Sequence, residues 1–185
     1  METCPHYLSL TEDDAGIVGP DAVCCPPLRD ADNRDRLLAL SAATAVYNVA
    51  SDHSPCPASS KEADPPFAGI AGVQTTLSVL LSLPSLTLER VERLRTAAAG
   101  LCGLASKGAV APGYDADLAL VDLDATWEVG PDTLRCRHRR SPFAGRTLPG
   151  VVVATLVRGT VVYQHGERVT DPVGRDASSR LALAP

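Results

Sequence analysis

Residues 48–57, NVASDHSPCP, place a carboxylate, Asp52, directly before an imidazole, His53, where an apolar run ends and prolines begin. A second imidazole, His6, sits at a similar junction in TCPHY near the N-terminus. Imidazole nitrogen and carboxylate oxygen are zinc donors, and a carboxylate beside a metal can also take up and return protons. Residue by residue, plainer readings compete. His6 alone reads as a structural histidine, and Asp52 alone reads equally as a loop cap. A solvent loop and a metal site both remain open at this level.

The elements around these residues decide whether they can meet. TAVYNVA (44–50) is short, apolar and β-branched, which predicts a buried strand ending just before Asp52. CPHY reads as the end of another strand turning into a loop, and VCCPPLRD (23–30) as a short apolar piece stopped by two prolines. Asp30 is expected to cap a helix running to about Leu40, with Leu37, Leu38 and Leu40 on its buried side. Residues 51–68 read as a long proline-rich loop and 69–83 as helical. Thr87 caps a clearer helix to about residue 102, with Leu88, Val91, Leu94, Ala98, Leu101 and Cys102 on one face.

After Gly103 strand signals dominate. KGAVAPGYDADLALVDLD predicts two short strands around a Pro-Gly turn, ATWEV another, and VVVATLVRGTVVYQ a hairpin turning near Arg158-Gly159. The expected organisation is an α/β part over 1–104, a small β-rich domain over 105–170 and a loose tail over 171–185. Polar groups at the carboxyl ends of successive strands, each followed by loop and helix, are how (β/α) barrels assemble active sites.

Composition narrows the class. The 45% hydrophobic and 21% charged content are those of an ordinary globular protein. A net charge of −5 argues against a nucleic-acid partner, and the lone basic cluster RCRHRR (135–140) reads as a solvated edge. No segment reaches the roughly 18–20 apolar residues of a membrane span; the nearest, 72–86, is interrupted by Gln74 and Pro84. Six cysteines without framework spacing or a CxxC pair, and no signal-like N-terminus, predict reduced thiols in a soluble, intracellular and most simply cytoplasmic protein.

A resemblance sharpens these readings. ETCPHYLSLTEDD, CCPPLRDADNRDRLLAL, ASDHSPCP, GIAGVQTTLSVL, KGAVAPGYDADLALVDLD and RHRRSPFAGRTLPGVVVATLVRGTVVY follow one another as in the allantoinases. These are cyclic amidohydrolases of the dihydroorotase and dihydropyrimidinase group. The resemblance runs from residue 2 to about 168 and concerns the C-terminal portion of that family's length. It implies the last part of a TIM-like (β/α)8 metal-dependent hydrolase barrel, strands six to eight with their helices, followed by a small β-rich domain. The barrel is then incomplete in this chain.

The resemblance further implies a two-metal zinc centre and hydrolysis of a cyclic ureide, allantoin, to allantoate in purine breakdown. His6 matches a metal ligand, and Asp52 matches a metal ligand that also acts as the catalytic general base. His53, Cys25, Pro26 and Gly69 match substrate-binding positions. A homo-oligomer of the complete subunit is also implied. The family's His-x-His pair, carboxylated lysine and further histidine have no counterpart here. Lys61 and Lys107, the two lysines, both read as solvent-exposed side chains. The expectation is a truncated portion, inactive alone, with Met1 an internal methionine or false start. Alternatives are a short protein completing a barrel with another chain, a dihydropyrimidinase- or dihydroorotase-like enzyme, and a non-catalytic binding or assembly module.

Overall fold

A computed structural model describes residues 1–43 and 45–176. Two short strands, β1 (Glu2–Thr3) and β2 (Asn48–Val49), pair in parallel, with Glu2 opposite Asn48 and Thr3 opposite Val49. The Tyr47 amide donates to the Met1 carbonyl at 2.7 Å, and the Ala50 amide to the Thr3 carbonyl at 3.0 Å. Both strands are shorter than the sequence predicts. CPHY leaves β1 not as a loop but as helix α1 (Pro5–Ser9), with a proline in its first turn, where a missing N–H costs nothing.

Helix α2 (Glu12–Val18) begins in a reciprocal capping box between Thr11 and Asp14 and leads into a single 3₁₀ turn, Gly19–Ala22. VCCPPLRD contributes no strand, and β1 pairs directly with β2. Two prolines remove two ladder donors from that stretch, which disfavours a central strand. Helix α3 (Ala31–Ala42) starts where expected, the Asp30 carboxylate accepting from the Asn33 amide at 2.8 Å. Its apolar side is only partly covered: Leu37 and Leu38 are half-buried and Leu40 is exposed.

Helix α4 (Ala58–Lys61) is one turn within the proline-rich loop. Of the predicted helical stretch 69–83, only α5 (Thr76–Leu81) is helical. The preceding glycines press against backbone instead: a Cβ on Gly72 would lie 2.6 Å from the Ser51 carbonyl oxygen. Helix α6 (Leu88–Leu101) is capped by Thr87, whose hydroxyl accepts from the Arg90 amide at 3.2 Å. Its central Val91 and Leu94 are buried, but Leu88 and Leu101 at its two ends are exposed, because the helix outruns the core beneath it.

The β part is a four-stranded antiparallel sheet ordered β3 (Leu118–Glu128), β4 (Thr147–Val157), β5 (Thr160–Gln164) and β6 (Glu167–Arg168). LALVDLD and ATWEV are one strand, β3, with two register shifts against β4, rather than separate strands; residues 108–117 contain turns but no strand. The β4–β5 hairpin turns at Arg158 and Gly159, both at positive φ (46° and 80°), as a two-residue turn matching strand twist requires. Residues 171–176 form neither helix nor strand, and the rest of the predicted tail lies outside the described residues.

Two apolar clusters hold these elements. Leu8, Val46, Val49, Leu80, Leu83, Leu86, Val91 and Leu94 pack beneath the parallel pair. In the other, Leu10, Cys24, Ile70 and Val79 meet Val129, Phe143 and Leu148 of the β part. The Trp127 indole donates to the Ser78 hydroxyl, which donates to the Gly150 carbonyl, both at 3.0 Å. Gly150 is at φ +81°, and a Cβ there would meet Leu81 at 2.5 Å, so α5 lies directly on β4. Arg140–Asp21 (2.7 Å) and Arg146–Asp14 (2.8 Å) tie the same surfaces at their rim. Arg140, in the basic cluster, is thus an ion-pair partner rather than a purely solvated side chain.

Candidate metal centre

The parallel pair brings together what the sequence separates by 46 residues. β1 ends at Thr3 and β2 at Val49, so His6 and Asp52 each stand three residues beyond a strand end on the same side. His6 Nε2 lies 3.9 Å from Asp52 Oδ2. That is too long for a hydrogen bond. The His6 side chain is 1% exposed, and Nε2 has no hydrogen-bond partner. A buried imidazole nitrogen without a partner is costly, so its lone pair is available to a ligand.

Asp52 is the exposed half of this pair, its side chain being 43% accessible. Its backbone sits at φ +47°, in the left-handed region that aspartate tolerates better than most residues. Cys4, at the N-cap of α1, completes the group. One donor atom from each of Cys4, His6 and Asp52 lies within 4.8 Å of the other two. Among the described residues this is the one cluster of three or more such donors.

Electrostatics follow from burial. Desolvation pulls the His6 imidazole down to about 4, against the opposing pull of Asp52, so His6 is neutral and able to ligate at pH 7. Burial pushes the Cys4 thiol up to about 12, reinforced by Asp52, Glu2 and Cys24. Desolvation also raises the Tyr7 phenol, which stays protonated and donates to the Pro26 carbonyl at 2.7 Å. The donor chemistry suits zinc: a neutral imidazole, a carboxylate and a thiol converge with no competing cation among them.

The remaining predicted positions fall around this cluster with differing geometry. His53 is exposed; its Nδ1 accepts from the Val73 amide at 3.3 Å, and its backbone bridges to Ile70. Cys25 and Pro26 are exposed, and Pro26 is linked to the cluster through Tyr7. Gly69 faces backbone: a Cβ there would lie 2.5 Å from the Ser54 carbonyl oxygen, and its amide donates to the Val23 carbonyl at 3.0 Å. This glycine lets the 67–70 segment approach the loop carrying His53.

Neither lysine is the solvated side chain expected. Lys61 is 4% exposed, and its ammonium donates to the carbonyls of Val23 (3.1 Å) and Phe67 (2.9 Å), bracing the Cys25-Pro26 loop against Gly69. Lys107 pairs with Asp115 and Asp117. The sequence reading missed Cys4, Tyr7 and Lys61. Only Cys4 left a signal, its two-residue spacing from His6.

The chain is similar to known proteins along most of its length. Residues 95–162 match the Amidohydrolase family. An allantoinase of Solibacter usitatus is 44% identical over 175 residues, covering 90% of this chain and 38% of that protein. An allantoinase of Rubrobacter xylanophilus is 41% identical over 182 residues, covering 94% and 40%. Among solved structures, an L-hydantoinase (dihydropyrimidinase) from Arthrobacter aurescens superimposes with a TM-score of 0.86 at 34% identity over 92% of this chain. A D-hydantoinase from a Thermus species does so at 0.84 and 27%. The chain spans about two-fifths of the length of each of these relatives.

Proposed function

We propose that this chain, which resembles part of the allantoinases of the amidohydrolase family, is the C-terminal portion of a metal-dependent enzyme that opens allantoin to allantoate. The observation that carries the reading is the meeting of His6 and Asp52 at the carboxyl ends of paired parallel strands, in a chain 44% identical to an allantoinase. Residues 1–104 then belong to the hydrolase barrel and 105–170 to its accompanying β-domain. The family's other ligands come from the three-fifths of such an enzyme that this chain does not span, and the complete subunit is a homo-oligomer.

In this reading His6 and Asp52 would help to hold zinc, which when bound would supply Lewis acidity at the amide carbonyl. The Asp52 carboxylate takes a proton from the attacking water as its oxygen bonds to the carbonyl carbon. It returns that proton to the ring nitrogen as the C–N bond breaks, giving a carboxylate and an opened ureide. Exposure of Asp52 beside a buried, neutral His6 leaves its second oxygen free for this traffic. His53, anchored through Nδ1 to the Val73 amide, faces the ring with its other nitrogen. The Cys25-Pro26 backbone, braced by Tyr7 and Lys61, and the loop at Gly69 form the ring's walls.

A dihydropyrimidinase-like specificity is the second reading, favoured by the 0.86 superposition on a hydantoinase. Co-expression with the N-terminal remainder of the Solibacter usitatus allantoinase tests both. The expected outcome is allantoin hydrolysis by the complex, none by the 185-residue chain alone, and loss of at least about 100-fold on Asp52→Asn. Preference for dihydrouracil would transfer the assignment to the second reading. Undiminished turnover in the Asp52→Asn complex would overturn the role given to that residue.

A further inference from the structure

Lys61 is only 4% exposed, yet it takes no part in the proton transfers assigned to Asp52. Lysine is rarely buried without a carboxylate beside it, because an unpaired ammonium is costly out of water. The charged groups that share its surroundings are engaged with one another: Arg140 pairs with Asp21 at 2.7 Å and with Glu62 at 3.7 Å. The Lys61 ammonium instead donates to two main-chain oxygens, of Val23 at 3.1 Å and of Phe67 at 2.9 Å. Each of these lies two residues before a loop position assigned to a wall of the ring, Cys25-Pro26 in one case and Gly69 in the other. We propose that Lys61 is the positioning residue that sets the separation of these walls, and with it the preference between five- and six-membered cyclic amides. The inference rests on the reading of those loops as walls and adds the group that spaces them.

The Val23 carbonyl is shared between the two loops. It accepts from Lys61 and also from the Gly69 amide at 3.0 Å, so a single oxygen joins one wall to the other. Lys61 closes the link through the Phe67 carbonyl on the Gly69 side. Each wall has one further anchor. Tyr7 donates to the Pro26 carbonyl at 2.7 Å, and the Ser54 amide donates to the Ile70 carbonyl at 2.8 Å. The cavity beside Lys61, about 10 Å³ and lined also by Cys56, Gly69, Arg140 and Ser141, is no larger than one water, so the ammonium has little room to swing away from its two carbonyls. Hydrogen bonds from a charged donor are the stronger kind, and removing this one loosens the link without touching a group that meets substrate. A six-membered cyclic amide exceeds a five-membered one by a single ring atom, and a close-fitting pocket discriminates one methylene by about 10–200-fold.

Hydrogen exchange in the 185-residue chain reads the spacing without any activity assay. Lys61→Met, which keeps the stem and removes the donors, should speed exchange of the Gly69 amide by at least about tenfold while the α6 amides keep their protection. In the complex with the N-terminal remainder of the Solibacter usitatus allantoinase, the same variant should raise KM for allantoin and leave kcat within about threefold. Its preference between allantoin and dihydrouracil, as a ratio of kcat/KM, should shrink by at least about tenfold. Lys61→Gln, with a shorter and neutral donor, should give intermediate values of both and serves where Lys61→Met fails to fold. Glu62→Gln, at the exposed neighbour in α4, and Val91→Ala, a core truncation in α6, should keep the preference, the latter separating lost stability from lost spacing. Unchanged Gly69 exchange in Lys61→Met would overturn the link between the walls. A complex active on either ring whose preference survives Lys61→Met would overturn the role in selectivity and leave the proposed function standing. A complex inactive on both rings would overturn the proposed function and the selectivity with it.

Discussion

Acidification of the metal-free chain should expose how His6 is held. Its imidazole is pulled from 6.5 to about 4 by burial, so between those values the unfolded chain binds a proton that the folded chain refuses. Stability therefore rises with pH across this window, is fully present above about 6.5, and falls as the pH drops toward 4. At 1.36 kcal/mol per pKa unit the whole window is worth about 3 kcal/mol, and most of it, about 2–3 kcal/mol, is already lost at pH 4.5. The measurement is urea unfolding with chelator present at pH 7.5 and 4.5, for the wild type and His6→Gln. His6→Gln keeps every carboxylate and removes only the imidazole, so the difference between the two proteins reports His6 together with its interaction with Asp52. The wild type should lose about 2–3 kcal/mol more than the variant on acidification. A proton-detected imidazole titration should show His6 neutral at pH 5. Parallel stability curves, or a His6 titration near 6.5, would refute the claim that burial outweighs Asp52.

Two further outcomes test the frame around the site. Gly69→Ala drives a Cβ to 2.5 Å from the Ser54 carbonyl oxygen and should lower the urea-unfolding free energy by about 1–3 kcal/mol, whereas Gly16→Ala, inside α2 with nothing within 4 Å, should leave it unchanged or raise it by up to about 1 kcal/mol. Lys61→Met removes the charged donor shared by the Val23 and Phe67 carbonyls and should cost about 1–3 kcal/mol in the same assay; a neutral result would mean water replaces the ammonium there.

Local chemistry announces itself in this sequence. Asp30 and Thr87 cap the helices they were expected to cap, because a side-chain oxygen and an amide three residues on need only one turn of chain to meet. The Arg158-Gly159 turn is likewise set by two adjacent residues. The zinc-type donors His6 and Asp52 are recognisable by type and by their position after apolar runs. How far each strand extends was not recognisable, because strand pairing depends on a partner: β2 shrinks to two residues where β1 offers only two to pair with.

The composition of the candidate site was decided only by tertiary structure. A cysteine and a lysine carry no local mark of burial, and their roles arise from chain segments far apart in sequence. Lys61 is drawn inward because two loop carbonyls, Val23 and Phe67, lie within its reach and must be satisfied out of water. Cys4 comes to lie near Asp52 because parallel pairing carries Asp52 to the start of α1. Residue type and spacing determined which groups are competent for metal chemistry. Pairing of β1 with β2 decided which of them share one point in space, since only closure of the 46-residue connection sets those distances.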